Sequence, residues 1–217
     1  MIEASPAVDR AAARIPVAIS ARHVHLTQGT VERLFGAGYR LRPRTPLSQP
    51  GQFAAQETVT LIGPAGRLNQ VRIVGPTRSE NQVEISRSDR LLLGLDAPLR
   101  GSGDLGGTPG VEVCGPIGKL RLDHGVVCAL RHIHMSIADA DVLGLKDQDR
   151  VAVAVDSSAR RLVFGDVLVR VAPNYLMELH LDTDEGNAAG VTPGMQASIL
   201  PPDAALSAAL GAGAVSA

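Results

Sequence analysis

The residues best suited to chemistry are histidines. The chain has six in 217 residues, and four of them fall into two copies of Arg-His-x-His, within ARHVHL at 21–26 and LRHIHM at 130–135. Random placement would give roughly 0.2 His-x-His pairs in such a chain, so two pairs with the same preceding arginine were placed by selection. In a strand, residues i and i+2 share a face with Cα atoms about 6.5–7 Å apart, so each pair offers two imidazoles to one point. His23 with His25, and His132 with His134, are therefore two bidentate grips for a metal ion. The arginines, Arg22 and Arg131, fall on the opposite strand face and read as salt-bridge or packing residues. Of the remaining histidines, His180 in LMELHLD shares a strand face with Glu178, away from Met177, Leu179 and Leu181, and is a fifth ligand candidate. His124 precedes Gly125 at a hairpin turn and reads as exposed.

The elements that must carry these side chains are mostly short strands. Apolar alternation marks 14–20, 58–63, 69–74, 82–86, 111–115, 119–122, 126–130, 150–155, 161–164, 166–171 and 176–182. GPAG, GPIG and APN supply turns between them. TQGTVERLFG, SRSDRLLLG and SIADADVLG each open on a Ser or Thr able to N-cap and close on a glycine, which predicts three short helices. No regular alternation of strand with long helix is present, so a parallel α/β sheet is disfavoured. Barrels solve the edge problem of so many short strands, and two of them would account for the repeated motif. The fold class is mainly β with a few short helices, in two small β-barrel domains.

Composition excludes several partners. There are 21 basic and 22 acidic residues, no basic run and only 2% aromatics, so nucleic acid has neither an electrostatic footprint nor stacking platforms. No apolar run approaches the length of a membrane span, and MIEASPAVDRAAAR lacks the order of a signal peptide. The expectation is a cytoplasmic protein without nucleic-acid or membrane partners. Cys114 and Cys128 lie in strand-like runs without C-x-x-C spacing and read as small core residues.

Six segments together resemble the PduL-type phosphate acyltransferases: SARHVHL, LSQPGQFAAQE (47–57), GPTRSENQVEIS (75–86), SGDLGGTPG (102–110), LRHIHM and HLDTDEGNA (180–188). The resemblance runs from about Ile15 to Ala189. It implies two β-barrels around a dinuclear zinc site, exchanging a short acyl group (propanoyl or acetyl) between coenzyme A and phosphate. Position by position, it implies zinc ligands at His23, His25, Glu84, His132, His134 and His180, and a phosphate-binding arginine at Arg78. It further implies CoA contacts at Ser20, Ala21, Arg72 and Asn187. In this scheme 22–130 form the first barrel, 14–21 with 131–200 form the second, the metal site lies at their junction, and 1–13 and 201–217 are flexible tails. Acyl-CoA, phosphate and acyl phosphate are the implied ligands, in propanediol degradation, with the enzyme in the cytosol or a bacterial microcompartment, as a monomer or a homo-oligomer.

The residue chemistry is compatible with that scheme. Two Zn²⁺ among five neutral imidazoles and one carboxylate make a net positive site, and borderline-soft zinc takes nitrogen, oxygen and thiolate ligands alike. Phosphate, already anionic at neutral pH, needs positioning more than activation, and a planar guanidinium provides it bidentately. The acidic HLDTDEGN run could orient imidazoles or form a solvated turn, and SGDLGGTPG could approach a phosphate or form a loop. Two other classes compete: a zinc hydrolase of thioesterase type, with water as nucleophile, and a non-enzymatic metal-binding barrel. A cupin-type site expects Glu shortly after the second histidine, where Thr27, Gln28, Gly29 and Thr30 stand instead. Amidohydrolases also carry H-x-H but need a (β/α)₈ chain that these strands do not supply.

Overall fold

The computed structural model describes residues 10–158 and 160–201. In chain order a 3-10 turn at Arg10–Ala12 leads into β1 (Ile15–Ser20), β2 (His23–His25), α1 (Gln28–Phe35), β3 (Pro43–Pro46), β4 (Phe53–Ile62), β5 (Arg67–Gly75) and β6 (Gln82–Ile85). There follow α2 (Arg87–Leu93), β7 (Leu99–Arg100), β8 (Val111–Cys114), β9 (Lys119–Leu122), β10 (Val126–Ala129), β11 (His132–Met135) and α3 (Ile137–Leu143). The chain ends with β12 (Arg150–Val155), β13 (Leu162–Val171), β14 (Glu178–Asp182), α4 (Thr183–Ala189) and β15 (Gln196–Ile199). Of the two expected tails, residues 1–9 and 202–217 lie outside the described residues. Arg10, near the end of the first, donates to the carbonyls of Leu143 and Gly144.

The chain divides into two compact units. One takes the residues up to Ile19, Arg131–Leu181 and those from Glu185 onward. Its strands close a barrel in the order β1-β14-β11-β13-β12-β15, sealed where Ile15 pairs with Ala197. Ile15, Ile133, Met135, Val153, Leu179, Leu181 and Ile199 fill it. The other unit, Ser20–Leu130 with Asp182–Asp184, is an open sheet in the order β7-β10-β6-β2-β5-β4-β8-β9, with β3 paired to β4. It curls around its own core, which includes Val24, Leu26, Leu34, Leu61, Ile73, Val83 and Leu93.

All three expected helices form, and their ends show why. Ser86 and Ser136 each build a capping box, with Asp89 and Asp139, and Gly94 and Gly144 end α2 and α3 in the left-handed conformation at φ 68° and 59°. Thr27 caps α1 by accepting from the Thr30 amide. The fourth helix, α4, falls on the acidic run read above as orienting imidazoles or forming a solvated turn, and it forms although Gly186 and Asn187 inside it have low helix propensity. At Gly186 the helix packs closely on β1, where a Cβ would lie 2.2 Å from Ile19 Cδ1, the movable end of that side chain. The segments 161–164 and 166–171 form one strand, β13, instead of two. β3, β7 and β15 had no alternating signature, and β3, PRTP, tolerates its prolines because it pairs only with β4.

One small frame recurs in both units. In the open sheet, β2 lies between β5, parallel to it, and β6, antiparallel to it. In the barrel, β11 lies between β13, parallel, and β14, antiparallel. Each central strand runs into a Thr- or Ser-capped helix. The arginine before each His-x-His reaches the third residue of the helix that follows the antiparallel strand: Arg22 to Asp89 of α2 at 2.8 Å, and Arg131 to Glu185 of α4 at 2.7 Å. These ion pairs are the structural role expected for the two arginines.

Candidate metal centres

In the open sheet the site is built by register. His23 and His25 leave one face of β2, while Val24 between them is fully buried in the core. On the antiparallel neighbour, Glu84 is paired directly with His23 and so shares its face, with Oε2 3.7 Å from His23 Nε2. The ring atoms of His23 and His25 and the Glu84 carboxylate bring their ligand atoms within 4.8 Å of one another. Backbone carbonyls turn both rings. His23 Nδ1 donates to Ala21 O at 2.9 Å and His25 Nδ1 to Val74 O at 3.1 Å, a pairing that fixes the Nδ1–H tautomer and leaves Nε2 as the ligand atom of each ring. Burial first, then the His23 ring and the Arg78 guanidinium, pull the His25 pKa down to about 3. At neutral pH this ring is an unprotonated donor.

The barrel repeats the construction with a third histidine. His132 pairs directly with His180 of β14, and His134 completes a group whose ligand atoms lie within 4.8 Å. The His132 and His180 rings stack at 4.9 Å, and His134 lies 4.7 Å from each. Burial, followed by the His132 and His180 rings and Arg170, lowers the His134 pKa to about 2. Its buried Nδ1 has no hydrogen-bond partner among the described residues, and the ring is stacked on Tyr175 at 4.2 Å. A polar nitrogen buried without a partner is costly, and a metal ion bound there would remove that penalty. Three protein ligands per group, all nitrogen or carboxylate oxygen, match zinc with one coordination position left for another ligand.

Comparison with known proteins follows the same outline. The profile of the phosphate propanoyltransferase family matches residues 16–192. The phosphate propanoyltransferase of Thermotoga maritima is 53% identical over 180 residues, 83% of this chain and 86% of that protein. Those of Klebsiella pneumoniae and Salmonella typhimurium are 54% and 51% identical over 176 residues, 81% of this chain and 83% of each relative. The chain belongs to the phosphate propanoyltransferase family. It is accordingly an acyltransferase of the phosphotransacylase type. The matched span holds all six candidate ligands, Arg78, and the four residues assigned to CoA by resemblance.

Arg78 sits on the exposed loop between β5 and β6, where its amide donates to Leu26 O at 3.0 Å. Its positive charge is felt at His25, which associates the guanidinium with the open-sheet group. Arg72, paired with His23 from the parallel side, spends Nη1 on the carbonyls of Ala55 and Gln56 at 2.9 Å each. Ala21 supplies the carbonyl that orients His23, Ser20 ends β1, and Asn187 is exposed on α4. Within the acidic HLDTDEGN run, Asp184 accepts the Ser88 amide at 2.8 Å and Glu185 pairs with Arg131. Cys128 is buried and Cys114 half-buried, both as thiols, and burial is the main cause that raises both pKa values. Two further polar side chains lie beside the ligand groups, Gln82, which sequence reading did not single out, and Glu178, which it placed on the face of His180. Gln82, paired with His25, donates to Glu84; Glu178, paired with His134, stands 2.8 Å from His180 Nε2. Only the register sets each of them opposite a histidine. Among the described residues, no helix is long and apolar enough to cross a membrane.

Proposed function

We propose that this acyltransferase moves a short acyl group, propanoyl or acetyl, between coenzyme A and phosphate, and that it does so with one zinc ion held by His23, His25 and Glu84 and a second by His132, His134 and His180. The observation that carries the reading is the recurrence of one frame: two converging groups of three ligands, each on a His-x-His strand and its antiparallel neighbour. Bound zinc supplies Lewis acidity for a thioester carbonyl and a soft partner for a departing thiolate. The chain's own residues do the rest. His25 and His134, neutral by burial, are ready to ligate without losing a proton. Arg78 presents a planar guanidinium to phosphate, whose oxygen forms the new bond to the acyl carbon as the carbon–sulfur bond breaks. The electron pair leaves with the sulfur, which ends as the CoA thiol after taking a proton. Contacts to CoA are assigned to the backbone of Ser20 and Ala21 and to Arg72 and Asn187. The enzyme is placed in the cytosol or a bacterial microcompartment.

The experiment follows propanoyl-CoA and acetyl-CoA consumption by the purified protein, with acyl phosphate identified as product. Thioester loss that requires phosphate supports acyl transfer. Loss at the same rate without phosphate, with free acid as product, would make the protein a hydrolase. Resupply of zinc to chelator-treated protein is expected to restore activity.

A further inference from the structure

Each frame carries one more polar side chain at a fixed place, on the antiparallel strand opposite the second histidine and two residues before the third ligand. In the open sheet it is Gln82, 3% exposed and paired with His25. In the barrel it is Glu178, paired with His134. Both touch the third ligand: Gln82 Nε2 donates to Glu84 Oε1 at 2.5 Å, and Glu178 Oε2 lies 2.8 Å from His180 Nε2. Their chemistry is complementary. Where the third ligand is the anionic Glu84, its neighbour is a neutral amide. Where the third ligand is the imidazole of His180, its neighbour is a carboxylate. Across these two positions each frame holds a single carboxylate.

The orientation of Gln82 follows from its other contacts. The Gly103 amide donates to Gln82 Oε1 at 2.9 Å, which only an oxygen can accept, so Nε2 must face Glu84 and Ser102 Oγ, the latter at 2.8 Å. All three bonds together tie Ser102 and Gly103, at the start of the glycine-rich 102–110 loop, to the Glu84 carboxylate.

We propose that Gln82 and Glu178 are the positioning residues of the two metal centres: each orients the third ligand of its frame, and together they leave each frame a single carboxylate. This rests on the metal reading above. The test isolates the centres. A chain carrying His132→Ala and His134→Ala keeps the open-sheet centre, and one carrying His23→Ala and His25→Ala keeps the barrel centre. Zinc affinity is measured by competition with a chromophoric chelator, and the visible spectrum of the cobalt form reports ligand geometry. Glu178→Gln should weaken zinc at the barrel centre by about 10–100-fold and alter its cobalt bands, with Glu178→Asp falling between. Gln82→Met should do the same at the open-sheet centre and speed hydrogen exchange at Gly103; Gln82→Asn takes its place if the Met variant does not fold. Unchanged zinc affinity and cobalt spectra in the Gln82 and Glu178 variants would overturn the proposal. If the two single-centre chains bind no zinc at all, the metal reading itself fails and the positioning role falls with it.

Discussion

At the scale of single residues, two of the side chains that read as ligands are held neutral by burial. His25 and His134 have pKa values near 3 and 2 in the fold, against an ordinary value of 6.5. With depressed folded values, the unfolded chain takes up protons first. Stability of the metal-free protein is therefore fully present above about pH 6.5 and lost as pH falls, by up to about 1.4 kcal/mol per pH unit for each ring. Urea unfolding in chelator checks this; equal stability at about pH 7 and about pH 5 would contradict it. Arg78 carries a second prediction. Arg78→Ala removes charge-assisted bonds worth roughly 1.5–3 kcal/mol, so kcat/KM for phosphate should fall at least ~10-fold, with less effect against acyl-CoA and an intermediate loss for Arg78→Lys. Phosphate kinetics that do not change would remove Arg78 from the site. The histidine groups were legible because histidine is rare and its spacing has one geometric meaning in a strand, whereas Glu84 and Arg78 came from the resemblance alone. Gln82 was not legible, since an amide on a strand has no signature until a partner strand sets its register, and Glu178 was placed on the face of His180 without a role.

At the scale of elements, the repeated unit is strand, capped helix and an ion pair that locks the strand before the first histidine. The Asp89 carboxylate is 2% exposed and faces Arg22, whose side chain is 40% exposed. Arg22→Ala leaves that carboxylate buried without its cation and should cost about 1–3 kcal/mol, read as a lower urea midpoint. Arg131→Ala should cost less, because Glu185 is more exposed and the charge it leaves behind is better hydrated. Parent-like stability for Arg22→Ala would deny the pair its role. The glycine-rich loop ends where Gly110 lies against β9. A Cβ there would meet Leu122 O at 1.9 Å, so Gly110→Ala must push backbone against backbone and is expected to destabilise the open sheet more than Gly106→Ala, which meets nothing within 4 Å. Thermal melts of the two variants compare them directly. Helices with Ser or Thr caps and glycine stops were readable in advance, whereas the acidic run that becomes α4 carries Gly186 and Asn187, residues of low helix propensity.

At the scale of the molecule, length and apolar content allowed two cores, and two cores formed, one per unit. Barrel closure was not equally readable for both, because it depends on pairing between strands far apart in sequence: β1 finds β15, whereas β7 and β9 end the open sheet at opposite edges. Both cores are apolar and separate from the histidine faces, so chelation should remove activity and leave the protein folded, by circular dichroism and by a cooperative melt. The central claim is that two groups of three ligands each hold a metal ion for acyl transfer. Metal analysis of the purified, active protein, repeated on the His132→Ala/His134→Ala chain, addresses it directly. About two zinc ions per chain, falling to about one with loss of acyl phosphate formation, is the expected result. One ion or none in the parent, or a parent-like metal content and activity in the double variant, would contradict it.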